Sequence, residues 1–329
     1  MKIFYAIQAT GNGHISRAIQ LYPYLKKFGT VDFFMSGNNA SLNVDIPIKY
    51  KSKGCSLHYS QCGGLDYWKI AKNINPLQMY RDSKALPLSD YDVVINDFDS
   101  ITSLACRLQK VKSVQFGHQA SFKSDLTPRA EKNNIMGELV LQKYAPANNY
   151  LGLHFKEYDS FIRPPIIKDA IFQATPKDLN HISVYLPSFD RECLEKAFHK
   201  VRGVEFQWFL NDIKEVHTIG NITYFPVNQN LFNESMINCH GILTGAGFET
   251  PAEALFLNKK ILSIPIKKHY EQECNAAALK LLGVPVLNNV GDDFHIEIEN
   301  WLNSKIQYPK IEANDIPKTL QFLFDTYND

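Results

Sequence analysis

The chain has 329 residues, of which 45% are hydrophobic and 21% are charged. This length predicts two domains, and the composition is that of an ordinary globular protein. The six cysteines form no C-x-x-C pair, which disfavours a disulfide framework or a cysteine metal site. Because no apolar run approaches the ~20 residues that span a bilayer, and no signal peptide is evident, we expect a cytoplasmic protein.

The net charge of +1 is unevenly distributed along the sequence. Residues 1–162 contain 19 Lys and Arg against 13 Asp and Glu, whereas the remainder contains 16 against 21. A basic first half suits an acidic or lipid-linked partner and peripheral contact with an anionic membrane surface. The alternative is chance asymmetry of a solvated surface. We expect no nucleic-acid partner.

The chain opens with a predicted strand, a glycine loop and a helix. Lys2–Gln8 is apolar and β-favouring, the loop 11–14 (G-N-G-H) follows, and Ile15–Phe28 has apolar residues at helical spacing. Val31–Met35 is predicted as the second strand, so this βαβ unit begins a parallel sheet. A dinucleotide fingerprint is disfavoured, because Ser16 stands where G-x-G-x-x-G requires its third glycine.

His14 is the chemically distinctive residue of this first loop. It lies at the N-terminus of a predicted helix, where the helix dipole favours the neutral imidazole. A neutral imidazole at the carboxyl end of a strand can act as a general base near pH 7. The alternative is a histidine that caps the helix or fills the cleft.

The predicted buried strand Tyr91–Asn96 brings Asp97 to the same edge of the sheet as His14. A carboxylate there can accept the imidazole N–H, fix its tautomer and stabilise the imidazolium during proton transfer. The alternative is that Asp97, or Asp99 two residues later, caps the following helix.

Further polar residues follow the next predicted strand, Ser113–Phe116. The loop after this strand places His118 and Gln119 at the same edge of the sheet. Together with Gly13 they are candidates for the acceptor side of a site, against the alternative of an ordinary loop.

A linker divides the chain. Phe161–Pro165 ends in paired prolines, which cannot continue a helix or an inner strand. We therefore predict one domain over residues 1–162 and a second over residues 163–314.

The stretch Leu243–Ala276 contains the most specific pattern in the chain. It is predicted as a strand end, the turn Gly245-Ala246-Gly247, a helix, a strand, and a polar loop at 267–272 before another helix. The glycines let the backbone approach a ligand, and the free N–H groups of the helix form an anion site that suits phosphate. Glu253 in this helix is placed to bind a ribose, and Glu271 and Gln272 of the polar loop to bind hydroxyl groups.

This pattern, Gly-x5-Glu, a strand ending in Pro, and acid-Gln-x-x-Asn-Ala, resembles the donor-binding motif of GT-B-fold glycosyltransferases that use nucleotide sugars. The resemblance is to the superfamily of the UDP-glucuronosyl and UDP-glucosyltransferases and the N-acetylglucosaminyltransferase of peptidoglycan synthesis. The matching positions are Gly247, Glu253, Pro265, Glu271, Gln272, Asn275 and Ala276. The alternative is a generic helix–strand–helix whose glycines serve only as caps.

The resemblance implies two Rossmann-like α/β domains facing each other across a cleft, with a helix in residues 315–329 packing back on the first domain. It implies that a first-loop histidine is the base on the acceptor hydroxyl and that an aspartate at a strand end pairs with it, positions that His14 and Asp97 match. It also implies a small hydroxyl residue near the diphosphate, at Ser188, and main-chain contact with the nucleobase in the turn that contains Val227.

The sequence departs from the UDP-glucosyltransferases at two positions. Gly245 stands where they have a phosphate-binding histidine, and Phe248 stands where they have a tryptophan. The resemblance then implies that backbone N–H groups alone hold the diphosphate, as in the peptidoglycan branch.

The sequence therefore predicts a transferase that moves a hexosyl or N-acetylhexosaminyl group from a nucleotide sugar, UDP-linked, to an acceptor hydroxyl with inversion. The nucleotide sugar is a substrate, so no cofactor is expected. Metal independence is expected, because the D-F-D segment at 97–99 lies in the half opposite the predicted diphosphate site. The alternatives are a sugar-nucleotide epimerase of the same fold and a non-catalytic nucleotide-sugar-binding protein.

Overall fold

The computed structural model describes residues 1–37, 46–54, 75–132 and 134–328. The strands of the first half are β1 (Lys2–Gln8), β2 (Thr30–Ser36), β3 (Ile48–Ser52), β4 (Val93–Asp97), β5 (Val114–Gly117), β6 (Asn149–Leu153) and β7 (Ile162–Arg163). Its helices are α1 (Asn12–Leu25), α2 (Pro76–Ala85), α3 (Ser100–Gln109) and α4 (Ile135–Lys143). The strands form one parallel sheet in the order β3-β2-β1-β4-β5-β6-β7.

The second half repeats this α/β organisation. Its strands are β8 (His181–Tyr185), β9 (Glu205–Leu210), β10 (His217–Ile219), β11 (Ile222–Pro226), β12 (Gly241–Thr244) and β13 (Lys260–Ser263). Its helices are α5 (Asp169–Phe172), α6 (Arg191–Phe198), α7 (Gln229–Asn238), α8 (Glu249–Phe256), α9 (Tyr270–Leu281), α10 (Phe294–Asn303) and α11 (Ile316–Asn328). The sheet order is β10-β11-β9-β8-β12-β13, parallel except for the antiparallel edge strand β10.

The sequence explains why these segments form buried central elements. Strand β4 (V-V-I-N-D) is buried along its whole length, as expected for an inner strand of a parallel sheet covered on both faces. Helix α1 buries Ile15, Ala18, Leu21 and Leu25, which recur at helical spacing. One apolar cluster contains residues of both halves, so the core is continuous between them.

The last helix of the chain lies against the first half. The ring of Phe324 in α11 is 4.5 Å from that of Phe28, centroid to centroid. The Asn149 side chain donates to the Thr326 carbonyl over 3.0 Å, and the Tyr327 hydroxyl donates to the Lys112 carbonyl over 2.9 Å. The chain therefore returns to the first half after completing the second.

Candidate active site

Two adjoining cavities lie between the sheets. The large cavity has a volume of about 480 Å³, within the usual range for small-molecule sites, and the small cavity has about 80 Å³. The residues that line both cavities are Asn12, Gly13, Tyr185, Glu249 and Thr250. Segments that follow β1, β4 and β5 of the first sheet and β8, β12 and β13 of the second line the large cavity. This is the edge at which open parallel sheets bind ligands.

His14 lines the large cavity from the first turn of α1. Its Nδ1 lies 2.8 Å from Oδ1 of Asp97, which ends β4 and is fully buried. Burial raises the pKa of Asp97, but the charges of Arg17 and His14 outweigh burial, so the pKa lies below its ordinary value. An ionised carboxylate can only accept, so Nδ1 of His14 donates its proton to Asp97, which turns Nε2 toward the cavity as the nitrogen available for proton transfer.

Arg17 is the second partner of Asp97, and it was not among the predicted site residues. Its Nε and Nη2 donate to the two oxygens of Asp97 over 3.0 and 2.7 Å, a bidentate ion pair. Its Nη1 forms an ion pair with Glu249 at the start of α8, in the other half of the molecule. The available signal was its spacing of three residues from His14, which puts both side chains on one face of α1.

Two carboxyl groups thus share the Arg17 guanidinium. Burial raises the pKa of Glu249 to about 7; the Arg17 charge lowers it, and the neighbouring carboxylates Glu253 and Asp97 raise it. Asp97 is the carboxyl group that stays ionised. The second half therefore contributes a group that titrates near neutral pH to the wall beside His14.

The backbone around Asp97 leaves room for its carboxylate. A Cβ at Gly117 would lie 2.7 Å from Oδ1 of Asp97, and Gly117 has a φ of +154°, so only glycine fits there. Phe98 has a φ of 60°, a left-handed conformation that is uncommon for a bulky residue. Phe98 itself lines the large cavity, which places the strained turn at the candidate site.

The two acidic residues of the D-F-D segment, Asp97 and Asp99, have different hydrogen-bond partners. Asp99 is the N-cap of α3, where its Oδ1 accepts from the backbone N–H of Thr102 over 2.6 Å, and it also accepts from the Ser36 hydroxyl. The helix-capping alternative therefore describes Asp99, whereas Asp97 pairs with His14.

The glycine turn leads from β12 into α8, whose N-cap is Phe248. Gly245 and Gly247 do not use the positive φ that glycine allows. A Cβ at Gly247 would meet no atom within 4 Å, and this residue lines the large cavity together with Ser188. Ala246 is buried, and its carbonyl accepts from Nδ2 of Asn275 over 3.0 Å.

Glu253 is 1% exposed and lines neither cavity. Its Oε2 is paired with Nζ of Lys168 over 2.9 Å, and Lys168 lines the small cavity. Lys168, which was not among the predicted site residues, therefore lies between the predicted ribose-binding carboxylate of Glu253 and the small cavity. Val227 also lines the small cavity, as does Asn233, whose buried Oδ1 has no hydrogen-bond partner in the described parts of the chain.

Glu271 and Gln272 lie in the first turn of α9, not in the loop that the sequence predicted. Acidic residues are favoured at a helix N-terminus, and the helix begins at Tyr270. Both side chains line the large cavity. Oε1 of Gln272 accepts from the Ile266 N–H over 3.0 Å, which fixes its position.

His118 and Gln119 line the large cavity, but both contact the second half. Gln119 donates to Oε1 of Glu271 over 3.1 Å, and Nε2 of His118 lies 2.7 Å from Oδ1 of Asn275. Burial lowers the pKa of His118, and the charge of Glu271 and the hydrogen bonds to Leu153 and Asn275 oppose this only in part. These residues therefore join the halves as well as border the cavity.

Within the four described ranges, no three His, Cys, Asp or Glu side chains are arranged to hold a metal ion. In the same part of the molecule, no helix has the length and apolar character needed to cross a membrane.

A protein-family model described as glycosyl transferase family 1 matches residues 1–303 of the sequence. The chain belongs to glycosyl transferase family 1. No curated protein matches this family member in sequence. Among solved structures, it is similar to UGT89C1 of Arabidopsis thaliana complexed with UDP, with 14% identity over 99% of this chain and 94% of that one, at a TM-score of 0.60.

Two bacterial structures show the same fold. SnogD from Streptomyces nogalater has 13% identity over 99% of each chain, at a TM-score of 0.56. MurG of Acinetobacter baumannii has 14% identity over 99% of each chain, at a TM-score of 0.58. These comparisons confirm the predicted GT-B fold and the glycosyltransferase resemblance of this family 1 member.

Proposed function

We propose that this glycosyltransferase moves a sugar from a UDP sugar to an acceptor hydroxyl, with His14 as the general base. The observation that carries the proposal is the 2.8 Å contact between His14 and Asp97, on the wall of a cavity that Gly247 also lines. Nε2 of His14 takes the hydroxyl proton as the acceptor oxygen attacks the anomeric carbon. The bond to the diphosphate breaks on the opposite face, so the configuration inverts, and Asp97 stabilises the imidazolium.

The donor is proposed to bind residues 163–314 and the acceptor residues 1–162. The small cavity is the proposed site of the base, because Phe209 and Phe232 offer aromatic surface and Asn233 offers an unpaired acceptor. The solved structure of UGT89C1, complexed with UDP, supports uracil as the base. We propose that the ribose hydroxyls contact Lys168, which Glu253 holds in place.

The diphosphate is proposed to lie against Gly247 and the N-terminus of α8, with Ser188 beside it. The free N–H groups and dipole of the helix stabilise the charge of the leaving group, so no metal ion is required. Glu271 and Gln272 then bind hydroxyl groups of a hexosyl or N-acetylhexosaminyl group. The Ile266 N–H donates to Oε1 of Gln272, which fixes the position of this side chain before a sugar binds.

The acceptor is proposed to be lipid-linked. Four large apolar side chains on one face of α4 are exposed, Ile135 by 82%, Met136 by 64%, Leu139 by 50% and Val140 by 41%. Gly137, Val140 and Leu141 of the same helix line the large cavity. An apolar acceptor body leaving the cavity would therefore pass directly onto this exposed face, which also suits peripheral membrane contact.

The test is titration calorimetry with UDP, GDP and dTDP, followed by turnover of UDP-glucose and UDP-N-acetylglucosamine in the presence and absence of EDTA. We expect selective UDP binding, weakened at least about tenfold in Lys168→Met, which leaves the buried Glu253 carboxylate unpaired, and in Glu253→Gln, which removes the charge that holds Lys168. Release of UDP only when an acceptor is present excludes the epimerase, and the anomeric configuration of the product tests inversion. Absence of nucleotide binding would refute the proposal.

A further inference from the structure

His118 lies between two oxygen acceptors, one in each half of the molecule. It follows β5 in the first half and is 1% exposed. Its Nδ1 lies 2.9 Å from the Leu153 carbonyl at the end of β6, and its Nε2 lies 2.7 Å from Oδ1 of Asn275 in α9. The neutral ring has one N–H, and the shorter of the two contacts assigns it to Nε2, which donates to Asn275 in the second half.

The contact with Asn275 continues into the glycine turn. Nδ2 of Asn275 donates to the Ala246 carbonyl over 3.0 Å, so His118 reaches the turn through one amide. The His118 ring also stacks on the Phe248 ring, with centroids 4.1 Å apart and planes within 5°. Ala246 and Phe248 are the two neighbours of Gly247, so His118 holds the chain on both sides of this residue.

Gln119 makes a parallel contact one residue later. It donates to Oε1 of Glu271 in the first turn of α9. Two consecutive residues of the first half thus fix two separate parts of the second half, the glycine turn and the start of α9. Both parts are assigned to the donor in the proposed function.

We propose that His118 is a positioning residue of the donor site: through Asn275 and Phe248 it fixes the turn that holds the diphosphate. This rests on the proposed function, in which Gly247 and the N-terminus of α8 bind the diphosphate. The interpretation differs from an acceptor-side role for His118, because it assigns the effect of the residue to donor binding. It also implies that the diphosphate site is complete only when the two halves are together.

The test compares His118→Phe with the wild-type chain by UDP calorimetry and by steady-state kinetics with donor and acceptor varied separately. Phenylalanine keeps the ring that stacks on Phe248 but loses both polar contacts, leaving the buried Asn275 oxygen unpaired. We expect the Kd of UDP and the KM of the donor to rise about tenfold to a hundredfold, and the KM of the acceptor to stay within about twofold.

His154→Phe is the matched control. His154 is also fully buried, and its Nδ1 accepts from the Phe155 N–H within the first half. The substitution removes the same polar atoms from a neighbouring core position but no hydrogen bond to the second half. We expect the Kd of UDP to change by less than about threefold in this control.

A double-mutant cycle with Asn275→Ala tests the path of the effect. If His118 acts through Asn275, the double variant binds UDP no more weakly than the weaker single variant, because both changes break the same connection. His118→Gln, whose amide can still donate to Asn275, restores part of the affinity and replaces His118→Phe if that variant does not fold.

The outcomes for His118→Phe and His154→Phe distinguish a donor-side role of His118 from an acceptor-side or purely structural one. A raised acceptor KM with unchanged UDP affinity in His118→Phe would show an acceptor-side residue and overturn it. Equal losses in His118→Phe and His154→Phe would show a purely structural role and also overturn it. If the wild-type chain binds no nucleotide, the proposed function fails and the inference fails with it, whereas wild-type binding that His118→Phe retains refutes the inference alone.

Discussion

Replacement of Asp97 by asparagine tests the geometry that carries the proposed function. The change removes the charge that fixes His14 at 2.8 Å and Arg17 at 2.7 and 3.0 Å, on a carboxylate that is fully buried. An asparagine amide can face His14 with its oxygen or its nitrogen, so the Nδ1 tautomer is no longer enforced. Hydrolytic triads lose about 10⁴ in kcat by this substitution, and general-base catalysis alone contributes about 10²–10⁴.

We expect kcat to fall by about 10²–10⁴, which is about 3–5 kcal/mol of transition-state stabilisation at 1.36 kcal/mol per factor of ten. Because Arg17 keeps only Glu249 as its counterion, we also expect the free energy of unfolding to fall by about 3–5 kcal/mol. Turnover should therefore be measured well below the variant's Tm. The Kd of UDP should change little, since Asp97 lies in the opposite half from the proposed diphosphate site.

Asp99→Asn is the matched control, two residues away and equally buried. Asparagine is as good an N-cap as aspartate, so the Thr102 contact survives and kcat should stay within about threefold. The reasoning is refuted if Asp97→Asn folds and retains kcat within tenfold of the wild type. It is also refuted if the two variants lose activity equally.

Two further predictions concern the second carboxyl group and the acceptor. Burial raises the pKa of Glu249 from 4.5 to about 7, so the folded state binds more protons than the unfolded state between these values, and stability falls as the pH rises through them. Denaturant unfolding should show that the wild type loses about 3 kcal/mol of its free energy of unfolding through this group as the pH rises. Glu249→Gln should lack this loss, and equal dependence of stability on pH in the two proteins would contradict the prediction. Met136→Asp should abolish sedimentation with anionic vesicles, whereas Leu179→Asp, which changes a leucine 64% exposed in the second half, should not. Vesicle binding unaffected by Met136→Asp would count against a lipid-linked acceptor.

The contact between His14 and Asp97 could be predicted because it depends on strand order alone. Asp97 ends one inner strand of a parallel sheet and His14 follows another, and the carboxyl ends of such strands meet at one edge. Position relative to a strand end is visible in a sequence. The resemblance selected Asp97 rather than Asp99 as the partner of His14, whereas strand position alone left both residues open to the helix-capping role, because both precede the same helix.

Contacts between the halves could not be predicted, because they join residues far apart in the chain. Arg17 and Glu249 each resemble an ordinary helix-surface charge until the two helices are placed together. Glu253 was assigned to the ribose from its motif position, and the motif gave no sign that Lys168, from the segment between the sheets, would cover it. Helix α9 was predicted to begin too late, because its polar first turn resembles a loop.

The two contacts that the sequence missed have a common consequence. Arg17 binds Asp97 in the first half and Glu249 in the second, so the group that orients the proposed base also touches the start of the proposed diphosphate helix. His118 makes the reciprocal connection, from the first half to the turn before that helix. Opening of the cleft would break both connections at once, leaving Arg17 with one carboxylate and the glycine turn without its support. Base orientation and donor binding are therefore both expected to require the closed cleft, since each half completes the part of the site that the other carries.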